Sequence, residues 1–381
     1  MKDHEPHQFT LLPPLELLED EEGNVESLDH YLARLGHCVG LTLPAMARML
    51  VREPLPTGCA LSTRANRSAW IGPGDRVGES VERLGAATGV PDLHRGTFLH
   101  ISPVLSGVGF ANCDSSANAR KWCPRCYFDW NNKSSFEPLY WSFGALAFCP
   151  VHKCRMLSRC PKCGCRQHHG ASYPKRRHCR SCREPLSGLA PPEEVPNYQA
   201  WVDRQCVMTA IASSNAHHPV APDSFDRYFE RVLSRWHEGE PIPKYVKASM
   251  ANLESRWKKG ERYLKPTIVQ YLNFASFHGT NVDEIILWPE SAAAEPLIEG
   301  ARKSFTHVTL RRPVAATLER LRGALSRLLA SDIPELPTAA AICTCFEVEI
   351  GYARERMREV VDAYSSVVKM QDRRHSKQAL R

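Results

Sequence analysis

The sequence has no long apolar run and no start that resembles a secretion signal. No stretch approaches the ~18 consecutive apolar residues that a membrane-spanning helix needs. The opening residues, M-K-D-H-E-P-H-Q, lack a basic segment followed by an apolar one. We therefore expect a cytoplasmic protein with no membrane partner. Its 15 cysteines then point to metal sites or buried thiols, because disulfides are rare in that compartment.

Several enzyme motifs are also missing. The chain has no G-x4-G-K-S/T phosphate loop and no G-x-G-x-x-G at a strand-to-helix turn. It has no H-E-x-x-H, since His237-Glu238 is not followed by a second histidine at the required spacing, and no H-x-E paired with P-C-x-x-C. We therefore expect no enzymatic activity and assign no catalytic residues.

Positive charge is scarce at the start of the chain and concentrated further along. Residues 1–30 carry one Lys against nine acidic residues, a net charge of −8. Residues 120–185 carry fourteen Lys and Arg against three acidic residues, a net charge of +11, whereas the whole chain has +7. Such a region is typical of a polyanion binder, although a solvated basic surface that only favours solubility gives the same pattern.

Cysteine pairs in this basic region have the spacing of zinc ligands. One group has two C-x-x-C pairs separated by fifteen residues, which is zinc-ribbon spacing; its members are Cys160, Cys163, Cys179 and Cys182. The group before it has a C-x-x-C pair and, after twenty-two residues, a Cys-Pro-Val-His pair; its members are Cys123, Cys126, Cys149 and His152. Each group offers four protein ligands, so we predict two structural Zn²⁺ in tandem ribbons.

Other cysteines and histidines nearby leave parts of this assignment open. Cys154 could displace His152, and Cys165 or His178 could replace a ligand of the later group. Cys343 and Cys345 stand apart from both groups, and we expect them to be buried as small apolar residues.

Two helices are predicted ahead of the cysteines. Ser27 can cap the first, whose apolar positions recur at i, i+3, i+4 and i+7; they are Leu28, Tyr31, Leu32 and Leu35. Gly36 and Gly40 break this helix, and Thr42 caps a second one with Met46, Met49 and Leu50 on one face. The pair is compatible with a helix-turn-helix, but any small helical domain would give this pattern.

Helical patterns also fill the second half of the chain. The stretch from Pro266 to Gly279 predicts a helix that stops at its glycine, and a second short helix follows at Val282, Ile285 and Ile286. A longer helix is expected over about 313–330, with an apolar stripe of Val314, Leu318, Leu321, Leu325 and Leu328. Residues 338–361 predict two helices around a turn at Glu347–Ile350, either a helix-turn-helix or one more helical hairpin.

The expected fold is mainly α with small zinc-ribbon β elements. We predict a flexible acidic arm over residues 1–26, an N-terminal helix-turn-helix-like domain over 27–118, a tandem zinc-ribbon module over 119–186 and a helical C-terminal domain over 187–381, with its helix-turn-helix at about 338–361. Acidic arms with interspersed leucines commonly order only on a partner, although a plain disordered tail has the same composition.

Together these features resemble the TniQ/TnsD family of transposon target-selection proteins. The similarity rests on S-L-D-H-Y-L-A-R-L from Ser27, W-C-P-R-C ending at Cys126, F-C-P-V-H-K-C-R-M-L from Phe148, the cysteine pairs of the later group, and the helical stretches 266–287 and 338–361. The resemblance implies a non-enzymatic adaptor of the bacterial cytoplasm. Such a protein recognises a DNA target site and recruits an AAA+ regulator (TnsC-like) and, through it, the transposase.

Two versions of this role stay open at this point. Some members read DNA directly, whereas others bridge an RNA-guided CRISPR effector complex to the transposition machinery without reading sequence, an adaptor role in which the chain could be a homodimer. In a direct reader, phosphate contacts are expected from Lys175, Arg176, Arg177, Arg180 and Arg183, and base contacts from Tyr352, Arg354, Arg356 and Arg358. The arm would bind the AAA+ regulator through Leu11, Leu12, Leu15, Leu17 and Leu18.

Overall fold

The computed structural model describes residues 10–42, 45–46, 71–72, 75–106, 120–130, 135–167, 175–238, 244–260, 263–292, 315–330, 338–339, 342–343 and 350–378. The chain divides into two compact units, residues 1–113 with 117–307 and residues 308–381 with 114–116. Its described part is mainly helical, as predicted, with β structure confined there to isolated antiparallel bridges. A search of the described residues for a helix long and apolar enough to cross a membrane found none.

The helices of the first unit surround the cysteine-rich segment in sequence. In the described part of the unit, α1 and α2 precede this segment, α3 lies within it, and α4 to α8 follow it. Their bounds are Leu28–Cys38, Asp75–Thr88, Pro124–Asp129, Asn197–Asn215, Ser224–His237, Lys244–Lys258, Ile268–His278 and Val282–Leu287. Short 3₁₀ turns occupy Leu93–Gly96, Leu99–Ile101, Leu139–Ser142 and Lys175–Arg177.

Helix α1 begins and packs as its sequence predicts. The Ser27 side chain accepts a hydrogen bond from the backbone N–H of His30 and so satisfies one donor of the first turn. All four predicted apolar positions are buried, namely Leu28, Tyr31, Leu32 and Leu35. The helix runs through Gly36 and ends at Cys38, with Gly40 in the left-handed region at φ +72°.

The second predicted helix is described only at its start. The backbone N–H groups of Ala45 and Met46 bond to the Thr42 carbonyl, and Met46 is fully buried. Met49 and Leu50 lie outside the described residues, so the helix-turn-helix expectation for this region stays a prediction.

The N-terminal segment corrects the expectation of a flexible arm. Residues 10–26 pack onto the first unit: the Leu12 N–H bonds to the Ala87 carbonyl, and Glu19 and Val25 form an antiparallel bridge. Of the leucines expected to bind a partner, Leu12 is buried, Leu15 and Leu17 pack against the core, and Leu18 is half-buried. Leu11, at 90% exposure, is the one that stays free. The leucines fold inward because they find an apolar surface within their own chain.

Helices α7 and α8 confirm the predicted pair. Thr267 and Gln270 form a reciprocal capping box at the start of α7, and the helix ends at Gly279, whose φ is +66°. Asn281 and Glu284 form a second capping box that starts α8, where Val282, Ile285 and Ile286 are buried.

The second unit contains α9 (Ala315–Leu329), α10 (Ile350–Arg356) and α11 (Arg358–Gln378). Helix α9 confirms the predicted long helix, and its Leu321 and Leu325 are buried in a cluster with Val361 and Tyr364 of α11. Residues 344–349, which include most of the predicted turn, lie outside the described part of the chain. Met357 interrupts the last helical stretch between α10 and α11.

Candidate metal centres and nucleic-acid interface

The earlier cysteine group converges on one point inside the first unit. The Nδ1 atom of His152 lies 3.6, 3.3 and 3.6 Å from the sulfurs of Cys123, Cys126 and Cys149. The sulfurs of Cys126 and Cys149 are 3.7 Å apart. A tetrahedral Zn²⁺ with Zn–S bonds of about 2.3 Å would place its sulfurs ~3.8 Å apart, so this donor set fits zinc without rearrangement.

The local sequence explains how these donors are positioned. Cys123 is the N-cap of α3 and its sulfur accepts from the Cys126 N–H, with Pro124 in the first turn where a missing N–H has no cost. One helical turn thus holds two thiols side by side. The other two donors come from the tight turn after Phe148, which an antiparallel bridge between Phe148 and Arg155 closes.

Asp129, at the end of α3, completes this centre and was not anticipated from the sequence. Its Oδ2 lies 2.8 Å from Nε2 of His152, so Nε2–H donates to the carboxylate and Nδ1 is left facing the sulfurs. The signal was available, because Asp129 follows Cys126 by three residues and lies on the same short helix. Carboxylate partners of this kind orient a histidine ligand and make it more basic.

The later group converges in the same way. The sulfurs of Cys160 and Cys182 are 3.7 Å apart, and those of Cys163 and Cys179 are 3.5 Å apart. Buried Gln167 supports the centre, because its Nε2 donates to the Cys179 sulfur at 3.4 Å while its Oε1 accepts from the Arg180 N–H. Burial acts to raise the pKa of Cys179, but backbone N–H donors lower it to about 6, which favours the thiolate that binds metal.

Three of the four ligand-bearing turns share one backbone geometry, and we refer to them as knuckles. In each, the first ligand residue i donates its N–H to the carbonyl of residue i+5, and its carbonyl accepts from the N–H of residue i+4. Residue i+4 has a positive φ in every case. The knuckles start at Cys149, Cys160 and Cys179, and their i+4 residues are Lys153, Gly164 and Arg183, with φ of +54°, +68° and +63°.

The knuckle geometry explains the positions of the additional cysteines near the two groups. Cys154 and Cys165 are the i+5 residues of their knuckles, and their carbonyls close the turns. Cys154 is fully buried with its sulfur 3.4 Å from that of Cys123, yet the convergent four are those that include His152. His178 is exposed and bridges to Pro185. Cys343 is buried, as expected, and Cys345 lies outside the described residues.

Arg176 is buried rather than placed on a DNA-facing surface. Its side chain is 1% exposed, and its guanidinium pairs with Asp29 of α1 at 2.5 Å and with Glu137 at 2.7 Å. Arg120 pairs with the same Glu137 at 2.6 Å and also donates to the Arg176 carbonyl. The expectation that Arg176 contacts phosphate is therefore wrong, because its charge is already used in a buried network.

The pKa of Glu137 reflects the two cations that surround its carboxylate. Burial acts to raise the pKa of Glu137, but the guanidinium groups of Arg176 and Arg120 hold it well below its usual value. The Tyr127 hydroxyl donates to the same carboxylate at 2.5 Å. Glu26 accepts from Arg34 and contacts Nδ1 of His30, and the Asp29–Arg176 pair joins α1 to the cysteine-rich segment.

Most of the other cations in the basic region also have partners in the fold. Arg155 pairs with Glu193, Lys162 pairs with Glu184, and Arg177 donates to the Trp130 carbonyl and the Ser135 hydroxyl. Within the described part of the region, the side chains without a hydrogen bond or ion pair to another residue are those of Arg125, Lys153, Lys175, Arg180 and Arg183. We call these the uncommitted cations.

The predicted base-reading residues lie on α10 and at the start of α11. Arg354, Arg356 and Arg358 are exposed. Asp362 lies 2.9 Å from Nε of Arg354 and 4.0 Å from Nε of Arg358, which offsets part of their charge. The backbone of Tyr352 is helical, and its side chain lies outside the described atoms.

Comparison with protein-family models matches residues 21–156 to TniQ. No curated protein matched the chain. The matched segment begins before α1 and ends just past the knuckle at Cys149, so it contains the first candidate metal centre but not the second. This match indicates a protein associated with transposition. Residues 21–156 therefore form a TniQ domain within this chain.

Proposed function

We propose that this protein selects transposition targets by binding DNA and that it recruits an AAA+ regulator and, through it, the transposase. The observation that carries the proposal is the set of uncommitted cations on and beside the turns that carry the candidate metal ligands, in a chain with a TniQ domain. Exposed Lys and Arg held by a rigid scaffold are the groups that bind backbone phosphates.

Both centres would hold Zn²⁺ in a structural role. Each brings together four protein donors of the types that zinc prefers, and four such ligands complete its tetrahedral shell. A centre without an open position fixes loops instead of activating water, which agrees with an adaptor that is not an enzyme. The bound metals would support DNA binding by fixing the backbone of the cationic residues that follow the ligands.

DNA contacts are assigned to two places. Lys175, Arg180 and Arg183 stay exposed near the second centre and would contact phosphates, with Arg177 less available because its guanidinium is already bonded. On the second unit, exposed Arg354, Arg356 and Arg358 would contact DNA from α10 and α11. The TniQ domain is our reason for proposing an AAA+ regulator as partner. The leucines of the N-terminal segment that pack inward are no longer proposed as its binding site.

Salt dependence of DNA binding tests this function. The zinc-loaded protein would be titrated onto a duplex carrying the insertion site of its own element and onto a scrambled duplex at several salt concentrations. If the six exposed cations assigned above each neutralise a phosphate, the logarithm of affinity should fall with the logarithm of salt concentration at a slope of roughly −5. No binding to either duplex would refute the proposal and would favour an adaptor that docks on an RNA-guided complex, which a pull-down with and without guide RNA detects.

A further inference from the structure

Two of the uncommitted cations occupy positions where a side chain is unfavourable. Lys153 and Arg183 are the i+4 residues of their knuckles, at φ +54° and +63°. In that region the Cβ of an L residue comes close to its own backbone, so glycine is the ordinary choice. The remaining knuckle shows the ordinary solution, because its i+4 residue is Gly164. The same turn can therefore be built without a side chain at this position.

The backbones of Lys153 and Arg183 are held by the hydrogen bonds of their knuckles, but their side chains add no polar contact among the described residues. Both side chains are exposed, and neither makes a hydrogen bond or ion pair with another described residue. Other cations of the knuckles do find partners, as Arg155 does with Glu193 and Lys162 with Glu184. A cation at a position where glycine suits the backbone, and whose charge has no partner among the described residues, is a reason to look for an external ligand.

The position favours a polyanion as that ligand. Each i+4 residue directly follows a metal ligand, His152 in one case and Cys182 in the other, so a bound metal fixes the backbone from which the cation projects. A cation on such a rigid base loses less conformational freedom on binding than one on a mobile loop. Backbone phosphate is the anion that a DNA-binding protein meets most often.

We propose that Lys153 and Arg183 are phosphate-binding residues for duplex DNA, presented by the metal-clipped knuckles in backbone conformations that would otherwise favour glycine. The proposal rests on the DNA-binding function above and names two of its contacts. It assigns Lys153, which the charge pattern alone did not single out. The proposal also predicts that DNA affinity and folding stability respond differently to one substitution. Glycine at either position removes the charge but suits the backbone conformation better.

The test compares Lys153→Gly/Arg183→Gly with the wild-type protein, both loaded with Zn²⁺, on one duplex over a range of salt. The double variant should lose affinity and lower the magnitude of the salt slope by about two, one for each phosphate contact. Its melting temperature and its retention of zinc against a chelator should match or exceed those of the wild type. Lys259→Gly, which removes an exposed charge next to Gly260, should leave the slope unchanged.

Asparagine provides a second variant, because it tolerates the left-handed conformation and retains a side chain. Lys153→Asn/Arg183→Asn should show the same loss of slope as the glycine pair. An unchanged slope in both double variants overturns the inference while leaving DNA binding intact. A lower melting temperature or faster zinc loss would also overturn it, by showing that the cations serve the fold or the thiolate charge. Failure of the wild type to bind DNA would overturn the proposed function as well.

Discussion

Replacing Arg176 with methionine tests whether this residue serves the interior or a DNA surface. Its Nη2 bonds to Asp29 at 2.5 Å and to Glu137 at 2.7 Å, and its Nε bonds to Glu137 at 2.9 Å. Methionine keeps an unbranched apolar stem in place but removes all of these contacts, and Arg120 alone then balances Glu137. Because removing one partner of a buried ion pair leaves an uncompensated charge, the free energy of unfolding should fall by about 3–5 kcal/mol.

Urea denaturation of the zinc-loaded protein, followed by tryptophan fluorescence at fixed metal concentration, measures this loss. Buried Trp122 reports locally, since the Arg120 guanidinium lies 5.8 Å from its ring. Lys175→Met is the matched control: it is the adjacent exposed cation and should change stability by less than ~0.5 kcal/mol. Asp29→Asn combined with Arg176→Met should cost less than the sum of the single changes. An Arg176→Met variant with full stability but weakened DNA binding would refute the buried assignment.

The same network predicts a pH dependence. The pKa of Glu137 is held well below its ordinary value of 4.5, so the folded state keeps this carboxylate charged where the unfolded chain already binds a proton. Its stabilisation is therefore present above pH ~4.5 and is lost as the pH falls towards the folded-state pKa. A double variant, Glu137→Gln/Arg176→Met, should lose stability less steeply than the wild type below that pH, and parallel curves would contradict the pairing.

Three further changes address the metal centres and the helical core. Cys123→Ser should reduce bound zinc from two ions per chain to one by metal analysis, whereas Cys154→Ser should retain both, since Cys154 lies outside the convergent four. Asp129→Asn should weaken zinc at the first centre about 10–100-fold in chelator competition, because His152 loses its carboxylate partner. Burial lowers the pKa of His278 to about 3, with Arg235 and Arg231 adding to the effect, so the wild type should lose up to ~4 kcal/mol between pH 6.5 and 3. His278→Gln should flatten that loss in acid denaturation.

The features that the sequence predicted well are those set by local rules. The cap at Ser27, the helix stop at Gly279 and the stripe of α9 each depend on residues within one or two turns. The two convergent Cys/His groups were predictable for the same reason, because a C-x-x-C turn brings two thiols together whatever surrounds it. Features that depend only on residues close in sequence can therefore be predicted from the sequence.

The features that the sequence did not reveal depend on distant partners. A run such as Lys175-Arg176-Arg177 appears uniformly basic in sequence, yet the fold exposes the first, buries the second and bonds the third to a carbonyl and a hydroxyl. Only the three-dimensional position of Glu137 decides between those outcomes. The leucines that pack inward, such as Leu12, were misassigned for a related reason, because the segment is held by elements far along the chain, as the bond from the Leu12 N–H to the Ala87 carbonyl of α2 shows.

The contacts of Arg176 indicate that the folded unit extends beyond the residues that match TniQ. The TniQ match stops at residue 156, but the guanidinium that neutralises Glu137 and Asp29, both inside the match, comes from residue 176. The second metal centre encloses that residue in sequence, between Cys163 and Cys179. A chain cut at residue 156 would lack the guanidinium that pairs with both carboxylates, so we expect such a fragment to be less stable than the full chain. The segment with the second candidate metal centre thus supplies a buried cation to the first unit, and the Asp29–Arg176 pair ties this segment to α1.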